Sequence, residues 1–339
     1  MDLIWTGEKE MEEYIDDLLR RMGDEEPGIR QCAYEEARWL NDLSLFSCLQ
    51  EKVTKARKAH IKTNLYFLIT QLAINTKEMY IADYLIDRLE SEESRVVLDS
   101  LLIDLSKLSE ASNAHKIIPY IYHKNSGVRY SAVIALKLCK SLEAEDALLK
   151  LLTVEENRDD IVNICATLYE IGTKRSILLL TKLLHCDSAY IRSAAIETLA
   201  EIGRTDLQIV YIDALADSNV IVKYEAIRAI YTYGDEMAIK PICERVNKVV
   251  SRRRKNEVEP TDESEIVIAL RFLHKFANHE EVLKTFDKVY KKRGNLFMSE
   301  RKWLRDNITY FQEKEYKNHK KEPASTMRLT LFFLTSLIL

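Results

Sequence analysis

Gly172, Gly203 and Gly234 lie 31 residues apart, and Leu168, Leu199 and Ile230 keep the same interval. The segments IRSAAIETLAEIG (Ile191–Gly203), VKYEAIRAIYTYG (Val222–Gly234) and VRYSAVIALKLCK (Val128–Lys140) share one pattern. A unit this small cannot bury an apolar face alone and must stack on a copy of itself. A fixed period of this length therefore predicts a solenoid.

Each repeat reads as two antiparallel helices. The better-marked one opens on a β-branched residue followed by a cation, as in Ile29-Arg30, Ile61-Lys62, Val128-Arg129, Ile191-Arg192 and Val222-Lys223. Small residues follow one turn later (Ala194, Ala195, Ala226), then a large aliphatic (Leu199, Ile230). That spacing makes one apolar face, with alanine where a neighbouring helix comes close. Asn125-Ser126-Gly127, Asp187-Ser188 and Asp217-Ser218-Asn219 precede these helices and suit turns and N-caps. The three spaced glycines are expected to end helices in a left-handed conformation. Shorter apolar runs such as SILLLTKLLHC (Ser176–Cys186) supply the partner helices. Only 8 Gly and 5 Pro interrupt 339 residues, which fits helix nearly throughout.

The expected fold is all-α: a right-handed α-solenoid of about seven to eight antiparallel pairs. It is read as one solenoid over residues 1–321. The repeats are clearest over 115–250, an inserted loop occupies 251–264, and capping helices occupy 265–321. Leu296–Tyr316 is read as a capping helix with Trp303 turned inward. Residues 322–339 form a tail with an apolar end, RLTLFFLTSLIL, too short to span a bilayer, which takes about 20 residues.

The net charge of −4 conceals an asymmetry. Residues 1–239 hold 28 Lys/Arg against 40 Asp/Glu, whereas residues 240–321 hold 21 against 13. Such polarity steers an oppositely patterned partner. The six cysteines show no paired spacing, which suits a reducing compartment. The acidic start MDLIWTGEKEMEEY has none of the apolar stretch of a secretory signal, so a cytoplasmic location is expected.

The run Asp-x-x-x-Ile-Arg-x-x-Ala-x-x-x-Leu-x-x-Ile-Gly at Asp187–Gly203 resembles the HEAT repeat, and its short period is similar to the HEAT-like subtype of the phycobilisome lyases. The resemblance extends convincingly over about 115–250 and implies the helical solenoid. It also implies a hydrogen-bonded Asp–Arg ladder between repeats, here Asp187 with Arg192 and Asp217 with Lys223, broken at Asp160-Ile161. Such repeats serve many unrelated roles, bilin lyase activity among them, so the fold alone assigns none.

No catalytic motif is present: there is no P-loop, G-x-G-x-x-G, G-x-S-x-G or H-E-x-x-H. HEAT-like hydroxylases hold two irons with repeated His-Glu pairs. This chain has one such pair, His279-Glu280, and no CxxC for zinc. No enzyme activity, cofactor or metal is expected. By helical register the open face of the marked helices carries Ser193, Glu197 and Glu201, then Tyr224, Arg228 and Thr232, with Tyr130 and Ile134 earlier in the chain. This mixed, aromatic and acidic set is read as the surface for a protein partner, one with a basic surface suiting the acidic two-thirds. The alternative is nucleic acid, contacted by Arg252, Arg253, Arg254 and Lys255 and by the basic run Lys291-Lys292-Arg293.

Overall fold

The computed structural model describes residues 8–253 and 264–319. Among them there is no strand, and helices follow one another in pairs. In chain order the pairs are α1 (Glu8–Met22) with α2 (Pro27–Ala37), α3 (Leu45–Lys55) with α4 (Ala59–Thr76), and α5 (Met79–Arg88) with α6 (Arg95–Leu105). A 3-10 helix, Ala114–Tyr122, then precedes α7 (Ser126–Ala135). Next come α8 (Leu142–Leu152) with α9 (Arg158–Ile171), α10 (Ile177–Leu183) with α11 (Ala189–Gly203), and α12 (Gln208–Ala214) with α13 (Val220–Tyr233). The last pairs are α14 (Ile239–Val250) with α15 (Glu265–His274) and α16 (Glu280–Lys291) with α17 (Met298–Asn307), followed by α18 (Thr309–His319). The described residues thus carry about the expected number of pairs, nine when the 3-10 helix is counted as the partner of α7 and the capping helix α17 as the partner of α16. The fold is an all-α solenoid.

The chain divides into two compact units, Met1–Thr198 and Leu199–Leu339, with the cut inside α11, where the repeat alone suggests one continuous stack. In the first unit the second helices pack in series, α4 on α6, α6 on α7 and α7 on α9. In the second unit α13 packs on α15 and α14 on α16. The core of each unit lies between its two helix layers and is mostly aliphatic, with Leu65, Ile69, Leu101, Ile164 and Leu168 in the first and Ile230, Ile242, Leu270 and Val289 in the second fully buried.

The caps expected at Asn125 and Asn219 are present, and Asn157 adds one beyond those expected, whereas before α11 the Ser188 hydroxyl is buried with no hydrogen-bond partner among the described residues. Asn125 Oδ1 accepts from the Val128 N–H at 3.2 Å, Asn157 Oδ1 from Asp159 and Asp160, and Asn219 Oδ1 from Ile221. The glycines do something different from what the sequence suggests. No described glycine has positive φ. Gly172 and Gly234 end their helices in extended conformation, at φ −68° and −78°. The reason for glycine is space: a Cβ on Gly234 would lie 2.5 Å from the Ile230 carbonyl oxygen, and one on Gly203 would lie 2.2 Å from Leu207 Cδ1. Pro119 lies inside the 3-10 helix and leaves its turn one N–H short. The capping segment is two helices, not one. Ile308 breaks it in extended conformation (φ −115°) and is fully buried, and Trp303 is half-buried under the Arg271 guanidinium at 4.9 Å.

Candidate functional site

Three hydrogen bonds hold the second helices of the first unit in one layer. Ser131 Oγ donates to Asp99 Oδ1, joining α7 to α6. Thr167 Oγ1 bonds Val133 O at 2.9 Å, joining α9 to α7, and Thr198 Oγ1 bonds Cys165 O at 2.9 Å, joining α11 to α9. Thr167 and Thr198 are buried and occupy the same place in successive repeats, 31 residues apart.

This layer presents a stripe of outward side chains at helical spacing. Val96 on α6, Tyr130 on α7, Ala166 on α9 and Tyr190 on α11 are exposed, and Ile103, Ile134 and Val162 are partly exposed beside them. Tyr190 is 59% exposed and Val96 56%, large values for residues whose apolar bodies gain by burial. Glu170 and Glu197 flank the stripe, both exposed. The strip is apolar and aromatic and is edged by carboxylates.

The residues expected to form the site divide between the units. Tyr130, Ile134, Ser193 and Glu197 lie in the first, and Glu201, Tyr224 and Arg228 in the second. Tyr130 and Glu197 are exposed as expected and Ile134 is partly so. Ser193 is not: it is buried, and its hydroxyl turns back to the Tyr190 carbonyl at 3.0 Å. In the second unit Arg228 is exposed and pairs with Glu225 at 3.0 Å, while Tyr224 is half-buried. Glu201, also half-buried, accepts from the Tyr233 hydroxyl at 2.8 Å. Arg252 and Arg253 are exposed at the end of α14. Arg254 and Lys255 lie outside the described residues. Sequence reasoning missed Val96, Ala166 and Tyr190, which one more step of the same helical register reaches.

The arginine of the expected Asp–Arg ladder makes local bonds to the backbone. Arg192 Nη1 reaches back to the carbonyls of Cys186 and Asp187, at 2.7 and 2.9 Å. Arg30 does the same to Asp24 and Glu25, and Arg129 to His123 and Lys124. Each arginine thus clamps the turn that opens its own helix. Lys223 stands in that place one repeat later, and burial, aided by Arg245 and Lys248, holds its ammonium below the ordinary lysine value.

Between successive first helices a different ladder appears. Asp83 on α5 accepts from the Ser112 and Asn113 N–H groups, at 2.7 and 3.2 Å. Glu145 on α8 accepts from the Thr173 N–H at 2.8 Å, and Gln208 on α12 from the Asp235 N–H at 2.6 Å. Each polar side chain caps the start of the next first helix, where unpaired N–H groups attract an acceptor.

Among the described residues no group of three or more His, Cys, Asp or Glu could hold a metal ion. His279 Nδ1 accepts from the Glu281 N–H and so caps α16, and Glu280 pairs with Lys284 at 2.6 Å. Cys165 is packed in the core, where burial pushes its thiol up to about 12. No described helix is long and apolar enough to cross a membrane.

Residues 114–200 and 177–259 match the family model for HEAT repeats. Similar solved structures include an engineered protein, 17% identical over 88% of this chain and 86% of that chain, with a TM-score of 0.48. They also include the complex of CpcE and CpcF of phycocyanin lyase from Nostoc sp. PCC7120, 18% identical over 81% of this chain and 97% of that chain, with a TM-score of 0.40. No curated protein matches the sequence.

Proposed function

We propose that this HEAT-repeat protein is a non-enzymatic scaffold that binds a protein partner on the second-helix face of its first unit. The observation that carries the reading is the stripe through Val96, Tyr130, Ala166 and Tyr190, exposed on four successive second helices bonded into one layer. Tyrosine buries much area at little entropic cost and keeps a hydroxyl for the partner's polar groups. The flanking carboxylates of Glu170 and Glu197 favour a partner whose contacting segment is apolar with basic flanks, as does the excess of acid over residues 1–239.

The test is affinity capture from the native cell with nuclease present, comparing the parent protein with a Tyr130→Ala/Tyr190→Ala double variant and a Leu178→Ala control. Leu178 is 70% exposed on α10, outside the second-helix layer. One stoichiometric protein should be retained by the parent and the control and lost from the double variant, with the melting temperature unchanged. Equal capture by all three proteins removes this face from consideration.

A further inference from the structure

The second unit carries a basic surface that the scaffold reading does not use. Asn295 Nδ2 donates to the Val250 carbonyl at 2.8 Å, which ties the turn after α16 to the end of α14. Arg293 lies on that turn, and Arg252 and Arg253 follow the end of α14. Just beyond the turn, α17 adds Arg301, Lys302 and Arg305. All six are exposed.

Little negative charge offsets them. Arg293, Arg301, Lys302 and Arg305 line a pocket of about 450 Å³ together with Leu296, Met298, Leu304 and Phe311, and no carboxylate lines it. Both acids of α17 are engaged: Asp306 meets Arg305 at 3.1 Å, and the buried Glu300 accepts from the Phe297 N–H at 2.9 Å. Arg301 and Lys302 make no ion pair among the described residues. Like charges gathered in this way repel one another, and an anionic ligand relieves that repulsion.

The arrangement of the six cations selects the kind of anion. Five are arginines, whose planar fork grips two oxygens of one phosphate. Four line the pocket and two stand at the end of α14, so an isolated phosphate engages only the pocket, whereas a chain of phosphates engages both groups. A lipid surface needs apolar side chains that can insert. Of the pocket's apolar residues only Met298 is exposed, at 73%, while Leu296, Leu304 and Phe311 are buried. The nearby rings are covered as well: Tyr290 is buried, and Trp303 lies under the Arg271 guanidinium. Bases therefore find no stacking platform here, and recognition falls on the backbone.

We infer that this end of the second unit is a sequence-indifferent binding site for nucleic acid, in which the cations of the pocket and of the α14 end contact successive backbone phosphates. The site is separate from the stripe proposed for a protein partner in the first unit, and either can fail without the other.

The experiment is fluorescence anisotropy of the full chain with two labelled single strands of unrelated sequence, each about 20 nucleotides long, between about 50 and 200 mM salt. An Arg301→Gln/Lys302→Gln variant and an Arg252→Gln/Arg253→Gln variant are run beside it. The control is Lys58→Gln/Lys150→Gln, which removes two exposed cations of the first unit. The parent should bind both strands equally, and log affinity should fall against log salt with a slope of about −4, the value for six contacts on a single strand. Each of the two site variants should lower that slope by about 1.4 and weaken binding about 25-fold at about 0.1 M salt. The control should match the parent, and circular dichroism and melting temperature should be the same for all four proteins. Absent binding, or binding that neither site variant weakens, overturns the inference. A loss confined to one of the two site variants overturns the extended track, and a preference of about tenfold for one strand overturns backbone recognition. Sedimentation with phosphatidylcholine vesicles holding about 30% phosphatidylserine is the second arm. Vesicle binding that Arg301→Gln/Lys302→Gln removes, with no oligonucleotide bound, assigns the cations to lipid instead.

Discussion

Glu145 reaches across from one repeat to cap the next through Thr173. Its fully buried carboxylate accepts from the Thr173 N–H at 2.8 Å and from the Thr173 hydroxyl, and Ser176 Oγ donates to it at 2.6 Å. Arg175 Nη1 stands 3.9 Å away, so the charge is partly compensated as well. Asp83 and Gln208 do the same work at intervals of 62 and 63 residues, two repeats apart.

Glu145→Ala should be among the most damaging single substitutions in the first unit. It strips three donors of their acceptor, one of them the buried Ser176 hydroxyl, and leaves a void where the buried carboxylate stood, at a cost of about 3 kcal/mol. Glu145→Gln keeps one acceptor oxygen and should cost about half as much. Chemical denaturation of the two variants checks the order. Equal losses would mean that the carboxylate fills space and nothing more.

The two glycines that would meet neighbours separate side-chain from backbone crowding. A Cβ at Gly203 meets the side chain of Leu207, which can rotate away in part, whereas one at Gly234 meets the Ile230 carbonyl within its own helix. Gly234→Ala should therefore cost about 3 kcal/mol and Gly203→Ala about 1 kcal/mol. A melting series that reverses this order would show that the turn after Tyr233 adjusts more easily than the Leu207 side chain.

Thiol reactivity should follow burial. Cys32 is exposed, while Cys165 and Cys243 are buried and desolvation raises both thiols. Because only the thiolate reacts, a maleimide at neutral pH should label Cys32 within minutes and Cys165 only on unfolding. Mass spectrometry of partially labelled protein reads this directly, and early modification of Cys165 would contradict the packing of α9 against α11.

The fold was legible because its signal repeats. Small residues and aliphatics 31 residues apart report burial against a neighbour, and Asn125 and Asn219 report turns whatever the tertiary structure. The part not legible depends on contacts between distant residues. Whether Gly234 serves backbone geometry or space is decided by Ile230, and the bond from Thr173 to Glu145 joins residues 28 apart with no local pattern to announce it. The site was half legible for a related reason. Tyr130 and Glu197 follow from helical register, but Ser193, at an open position by the same register, is small enough to be covered and to bond its own helix.

Asp104 offers a test of burial through pH. It is buried on α6, and desolvation raises its carboxyl above the usual aspartate value, with the Lys107 ammonium at 2.6 Å only partly opposing this. A carboxyl with a raised folded value holds its proton longer in the native state than in the unfolded chain. Its ionisation therefore subtracts stability as pH climbs from about 4, the ordinary aspartate value, through the raised folded value. Below that window the group is protonated in both states and contributes nothing. Asp104→Asn removes this titration while keeping the side chain's shape. The variant should gain on the parent steadily as pH rises from about 4, and the difference should level off once Asp104 is ionised in the folded protein. Paired denaturation curves between pH 4 and 8 measure that difference. A gap that stays constant across the range would mean that the pair with Lys107 offsets the cost of burial in full.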